Sequence, residues 1–259
     1  MQYTTLFCLV LLFFTTTESV WGEKALPSSV DLRPQFEKLG LTPRQQGRRG
    51  TCSVFTVVGA LEYTLAKRRG TRLSVEFLNW AGHKAANRTS DGGFFSELWR
   101  GYEVYGICPE VDLPYYNEFN SSLQPAPATL KKADKLRQPA LSLHWIKEWD
   151  VKTGLTHAQL TEIKKTLANK TPVCGGFRWP MKAVWEEGVL QVCPVEEVFD
   201  GHSVLLVGYR DDPALPGGGV FIIRNSGGTG SDGFLPYAYA EKYMNDGAWI
   251  GRAKPASQE

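Results

Sequence analysis

The chain has 259 residues, 42% of them hydrophobic, 12% aromatic and 22% charged, with 29 Lys and Arg against 27 Asp and Glu for a net charge of +2. That composition buries a large core and excludes disorder and fibrous repeats. The near balance of charge speaks against a dedicated nucleic-acid binder, which carries a much larger basic excess.

The first 22 residues read as a secretory signal peptide: Leu6 to Phe14 is an unbroken apolar run, Thr15 to Thr17 follow, and Gly22 supplies a small residue. The run is too short for the roughly 18 residues of a membrane span, so no membrane anchor is expected. Residues 23–259 then form one domain of an exported, extracellular protein. Sequons at Asn87, Asn120 and Asn169 suit surface positions in such a protein.

From Gln46 a glycine-punctuated loop runs into a helical pattern, with Val54, Val57, Val58, Leu61 and Leu65 on one stripe. Thr51 is the expected N-cap, which puts Cys52 in the first turn. Lys67, Arg68 and Arg69 meet the C-terminal dipole, and Gly70 stops the helix. Ser74 caps a second helix with Phe77, Leu78 and Trp80, and a third is expected from Phe94 to Tyr105. Residues 120–139, with Pro125, Pro127 and Pro139, read as a connection between lobes, its Lys131, Lys132, Lys135 and Arg137 a solvated face. Thr156 and Gln159 form a capping box for a helix carrying Leu160, Ile163 and Leu167. Ser203 to Tyr209 and Val220 to Ile223 are strands. Helices first and strands afterwards give an α+β protein of two lobes, the helical one at about 45–120 and the β-rich one at about 140–245.

Five cysteines need placing in an oxidising compartment. Cys8 leaves with the signal. Cys52 sits at a helix N-terminus, where N–H groups favour a thiolate, so it is a candidate nucleophile as well as a small buried hydrophobe. Cys174 and Cys193 are either a bridge or two free thiols, and Cys108 is then free. His83, His144, His157 and His202 are scattered, with neither C-x-x-C nor H-x-x-x-H, so no metal and no cofactor are expected. If the two strands form a hairpin about a loop near residue 214, His202 lies nearly opposite Asn225. An amide oxygen there would accept the imidazole N–H and orient the ring.

These residues resemble the papain-like cysteine peptidases of the C1 family, bacterial-type members without a long propeptide above all. The resemblance rests on Ser29-Val30-Asp31-Leu32-Arg33, Gln46-Gly47-x-x-Gly50-Thr51-Cys52 and Asp91-Gly92-Gly93. Gly106 to Glu110 with Pro114-Tyr115, Asp200-Gly201-His202-Ser203-Val204 and Arg224-Asn225-Ser226 continue it in family order, over about Leu26 to Tyr243.

The resemblance implies a papain-like two-lobe fold, a helical lobe and an antiparallel β-barrel-like lobe with the active-site cleft between them. It implies a secreted thiol protease acting on peptide or protein substrates, with protein inhibitors as further partners, and no room for an inhibitory propeptide after the signal. Cys52 would be the nucleophile, His202 the base, Asn225 the orienting amide and Gln46 an oxyanion donor, with Gly92 and Gly93 holding the substrate backbone.

Four departures accompany the match. Arg49 and Ser53 stand where the short papain signature has Cys and Trp or Tyr, which removes one disulfide. Gly227 and Ser231 stand where the family has tryptophans, the first of which shields the His–Asn hydrogen bond. The alternative expectation is therefore a catalytically weak papain-like protein that binds a peptide or partner. Gly228-Thr229-Gly230-Ser231-Asp232-Gly233 satisfies G-x-G-x-x-G, but Pro236 leaves no helix to follow it, so a dinucleotide site is not expected.

Overall fold

The computed structural model describes residues 25–66, 70–228 and 231–252. The expected signal at 1–22, the basic run Lys67 to Arg69 and the Thr229-Gly230 part of the glycine-rich stretch lie outside the described residues. No helix among the described residues is long and apolar enough to cross a membrane.

Strand β1 (Ser29–Asp31) and the short helix α1 (Arg33–Lys38) lead into α2 (Cys52–Leu65), α3 (Val75–Ala86), α4 (Phe95–Tyr105) and α5 (Pro127–Leu136). The strands β2 (Leu141–Lys147), β3 (Val173–Pro180), β4 (Trp185–Glu186), β5 (Val189–Leu190), β6 (Val198–Asp211), β7 (Gly219–Arg224), β8 (Asp232–Pro236) and β9 (Met244–Arg252) follow. Among them lie α6 (His157–Ala168) and α7 (Tyr237–Tyr243). The fold is α+β, with a helical lobe and a β-sheet lobe, as expected.

Local signals account for most helix ends. Ser74 accepts the Phe77 N–H at 2.9 Å, and Thr156 and Gln159 form the expected capping box. Thr51 is the N-cap of α2 as expected, with Cys52 in the first turn, although its hydroxyl shares a 2.7 Å hydrogen bond with Tyr115 Oη instead of capping. One local reading is corrected. The stretch 120–139 contains α5: Pro127 needs no N–H partner in the first turn, so it starts a helix there rather than breaking one. Lys131, Lys132 and Lys135 lie on its exposed face as expected, and the three sequon asparagines are exposed.

The helix that carries Cys52 is less amphipathic than its sequence stripe suggests. Ser53, Phe55, Thr56, Ala60 and Glu62 are buried along with Val54, Val57, Val58 and Leu61. The reason is position: α2 packs against α3 and α4 on the helical side and against β3, β6 and β9 on the sheet side. One hydrophobic cluster therefore runs through both lobes, from Phe36 and Leu61 to Leu206, Phe221 and Tyr239.

The barrel-like second lobe is not found. The nine strands form one sheet in the open order β2-β9-β3-β6-β7-β8-β5-β4, with β1 added to β6. A barrel needs its two end strands paired along a common length. Here one end is the two-residue strand β4, held only to β5, and β5 joins β8 through one parallel pair, Val189 with Phe234. The sheet thins out at that edge instead of returning to β2. β1 extends the edge that β3 leaves on β6: Val173 lies opposite Leu206, and Asp31 opposite Gly208.

Candidate active site

Cys52 opens α2 from the loop of residues 46–51, in which Gly47 takes φ +65°, a left-handed conformation suited to glycine. The residue is 8% exposed, and its Sγ lies 3.7 Å from Gly201 O of β6. Burial pushes the thiol up from its ordinary value, against hydrogen bonds from the Ser203 amide and hydroxyl and the Ser53 amide. The helix N-terminus favours thiolate, and loss of solvent opposes it.

His202 and Asn225 come together as the hairpin reading requires. Leu205 lies opposite Arg224, and a bulge between Leu206 and Gly208 shifts the later pairs by one. His202 Nε2 lies 2.9 Å from Asn225 Oδ1. The Gly227 N–H donates to the same oxygen at 2.8 Å. A backbone N–H can only donate, so the amide is oriented with Oδ1 inward and the imidazole carries its proton on Nε2. Nδ1 is then left as the basic nitrogen. Burial lowers the His202 pKa, and the Asn225 bond opposes that shift.

A bulge aims the histidine. Phe177 of β3 lies opposite His202 but Trp179 lies opposite Phe199, so β6 spends one residue more than β3 between these pairs. Gly201, at φ +97°, lies in the extra stretch; a Cβ there would meet nothing within 4 Å, so the backbone conformation, not space, calls for glycine. The ring that meets His202 comes from β3: Trp179 lies with its centroid 4.6 Å from that of the imidazole.

Cys52 and His202 line one cavity of about 290 Å³, together with Gly93, Phe94, Trp149, Phe177 and Asp246. Phe94 and Trp149 stand edge to face over it, with centroids 5.6 Å apart. Asp246 is 5% exposed, and a Cβ on Gly176 would sit 1.9 Å from its Oδ1, so only glycine at 176 admits the carboxylate. Burial pushes this carboxyl up to about 7, with Lys147 and the Gly176 amide opposing. The folded protein thus binds the Asp246 proton more tightly than the unfolded chain. This contribution to stability is complete below pH 4 and is lost as pH rises through about 7. Asp246→Asn is expected to remove a stability loss of a few kcal/mol between about pH 4 and 7, measured as a flatter dependence of the thermal midpoint on pH.

Of the remaining expected site residues, Gly93 alone lines the cavity. Gln46 is not among its lining residues: its Nε2 donates to Arg49 O at 2.8 Å, and its Oε1 accepts from Ser226 Oγ at 2.8 Å. Gly92, at φ +76°, packs so closely on Gly50 that a Cβ would lie 2.1 Å from its carbonyl oxygen. The Gly92 N–H donates to Asn79 Oδ1 and its carbonyl contacts His83 Nε2 at 2.8 Å.

The Cys174–Cys193 bridge is not formed: Cys52, Cys108, Cys174 and Cys193 are all free. Cys174 is fully buried in β3 with its Sγ near Thr56 O, whereas Cys193 is half-exposed and its carbonyl accepts from Tyr243 Oη. The Cys108 thiol is pushed up to about 12 by burial.

Sequence reasoning missed the contributions of Arg49, Trp179 and Asp246. Arg49 was visible only as a departure; a buried arginine in a glycine loop has to meet carboxylates, and it does, binding Glu76 and Asp91.

The sequence pattern of the papain family cysteine proteases matches residues 26–248, and the chain belongs to that family. It is 29% identical to cathepsin K of Gallus gallus over 83% of this chain and 59% of that protein, and 26% identical to cathepsin K of Mus musculus over 88% and 64%. The chain thus spans about three fifths of the length of these curated relatives. Among solved structures it is similar to xylellain, a cysteine protease from Xylella fastidiosa (TM-score 0.69, 22% identity, 89% of this chain and 88% of that one). It is also similar to the proform of the ragweed pollen cysteine protease Amb a 11 (TM-score 0.64, 20% identity, 91% and 69%). These likenesses are of fold.

Proposed function

We propose that the protein is an exported cysteine endopeptidase that cleaves peptide bonds through Cys52, His202 and Asn225. The observation that carries this reading is the His202–Asn225 hydrogen bond on the wall of a cavity that Cys52 also lines. His202 Nδ1 takes the thiol proton as Sγ attacks the peptide carbonyl, then passes it to the leaving amine. Water, activated by the same nitrogen, releases the acyl group from the thioester. Burial favours the neutral form of each group, so the pair exchanges a proton inside the site and not with solvent. The Cys52 N–H at the start of α2 would serve the developing oxyanion, with Gln46 as second donor, and Gly93, which lines the cavity, would lie along the substrate backbone, while Gly92 holds the turn through Asn79 and His83. The apolar run at 6–14 supports export.

A second reading, a weak or non-catalytic peptide binder, is favoured by one observation: the Gln46 amide is engaged by Arg49 O.

Labelling with an epoxide-type thiol-protease inhibitor tests the proposal. Stoichiometric modification is expected at Cys52, many-fold faster than at Cys108 or Cys174, which burial protects. Label confined to half-exposed Cys193, or none at all, overturns it. Labelling of Cys52 without turnover of any peptide selects the second reading.

A further inference from the structure

Residue 227, two after Asn225, is glycine and offers no side chain to cover the catalytic imidazole. Its backbone still comes close: a Cβ there would lie 3.2 Å from His202 Cε1 and 3.3 Å from Asn225 Oδ1. The ring that packs on His202 comes instead from β3. Trp179 is buried, its centroid is 4.6 Å from that of the imidazole, and the two planes meet at 59°. Trp179 is itself held in place. Phe177, Tyr239 and Trp185 pack on it with centroids 6.3, 6.1 and 6.4 Å away, and Tyr239 Oη donates to Arg178 O at 2.7 Å, tying α7 to the same strand.

We propose that Trp179 is the positioning residue of the His202–Asn225 pair, covering the imidazole from β3 in place of a side chain at 227. This rests on the reading of His202 as the catalytic base. The physical role is twofold. A hydrogen bond shielded from water does not compete with solvent, so the Nε2–H bond to Asn225 holds the ring more firmly. An indole packed against the ring also limits rotation about the His202 side chain. The bulge at Gly201 and the cover at Trp179 then work together: one turns the histidine out of the strand, the other fixes where it points. The titratable and charged groups around it are Cys52 of α2, Asp246 of β9 and Arg88 at the cavity wall.

The test compares Trp179→Phe, Trp179→Leu and Trp179→Ala with the wild-type protein, with thermal melts to confirm folding. Trp179→Ala is expected to lower kcat by about tenfold with KM within about twofold, Leu to be intermediate, and Phe to stay within about threefold of wild type. In a Cys52→Ala background, where turnover plays no part, NMR of labelled histidine reads the imidazole directly. The His202 Nε2 proton is expected to exchange with water at least about tenfold faster in the Ala and Leu variants, and Phe to restore its protection. If Trp179→Ala does not fold, the Leu variant carries the comparison. Unchanged exchange in the folded Leu or Ala variant, or a Phe variant as impaired as Ala, overturns the proposal. A wild-type protein that turns over no peptide would sink the peptidase reading alone, because the exchange measurement still decides the role of Trp179.

Discussion

Cys52→Ala is expected to abolish peptide turnover, by at least about ten-thousandfold, while the protein remains folded. The change removes one sulfur atom from a residue whose backbone stays in the first turn of α2, and alanine is the most favourable residue for that helix. The sulfur makes a weak 3.7 Å contact with Gly201 O, so its loss costs about 1 kcal/mol or less. The other thiols cannot take over: Cys108 and Cys174 are fully buried and pushed up by burial, and half-exposed Cys193 does not line the cavity that holds His202. His202→Ala should be as severe, because it removes the group that moves the proton. Turnover of a fluorogenic peptide and a thermal melt, run on the same preparations, check both halves. Residual activity above a hundredth of wild type in a folded Cys52→Ala protein would require a different nucleophile.

Arg49→Ala is expected to destabilise the fold by about 3–5 kcal/mol, the largest stability effect of any single substitution considered. The Arg49 side chain is 4% exposed and that of Glu76 is 1% exposed. The guanidinium contacts Glu76 Oε2 at 2.5 Å, grips both Asp91 oxygens at 2.9 and 3.0 Å, and donates to Tyr116 O at 2.9 Å. It also lies over the Tyr115 ring, 4.6 Å from the centroid. Removing it leaves the Glu76 carboxyl buried and without its main partner. Arg49→Lys should recover little, since a point charge cannot span two carboxylates in this planar arrangement. Arg49→Ala combined with Glu76→Gln should be more stable than Arg49→Ala alone, because the second change removes the stranded carboxyl. Denaturant midpoints of the four proteins measure this. The position is the one where the family signature carries a cysteine, so a charge cluster ties the nucleophile loop to α3 and to the Gly92 turn where a covalent link is absent.

Local signals made much of the scaffold readable. Ser74, Thr156 with Gln159, and the Val54 to Leu65 spacing placed three helices, and the strand pair 203–209 and 220–223 brought His202 to Asn225 before any coordinates. What escaped was set by contacts remote in sequence. The end of the sheet is open because β4 and β5 are two residues long, a fact of pairing that no window of sequence carries. α5 was missed because Pro127 was weighed as a breaker, although in a first turn it is a starter. Trp179 lies 23 residues before His202, and only the β3–β6 register brings the rings together. The cysteine pairing failed for a similar reason: spacing in sequence does not say that Cys174 faces α2 across the core.

The same remoteness governs when the site comes into being. Gln46 bonds to Ser226 through both its backbone N–H and its side chain, across 180 residues, and Cys52 meets Gly201 across 149. Contacts of such separation form late, after the loops between them have been closed at an entropic cost. A chain still missing β6 and β7 has the thiol but neither the imidazole nor its amide partner. Cys52 in a nascent or partly folded molecule should therefore react like any solvent-facing cysteine, and hydrolytic competence should emerge in a single step with the closing of the last strands.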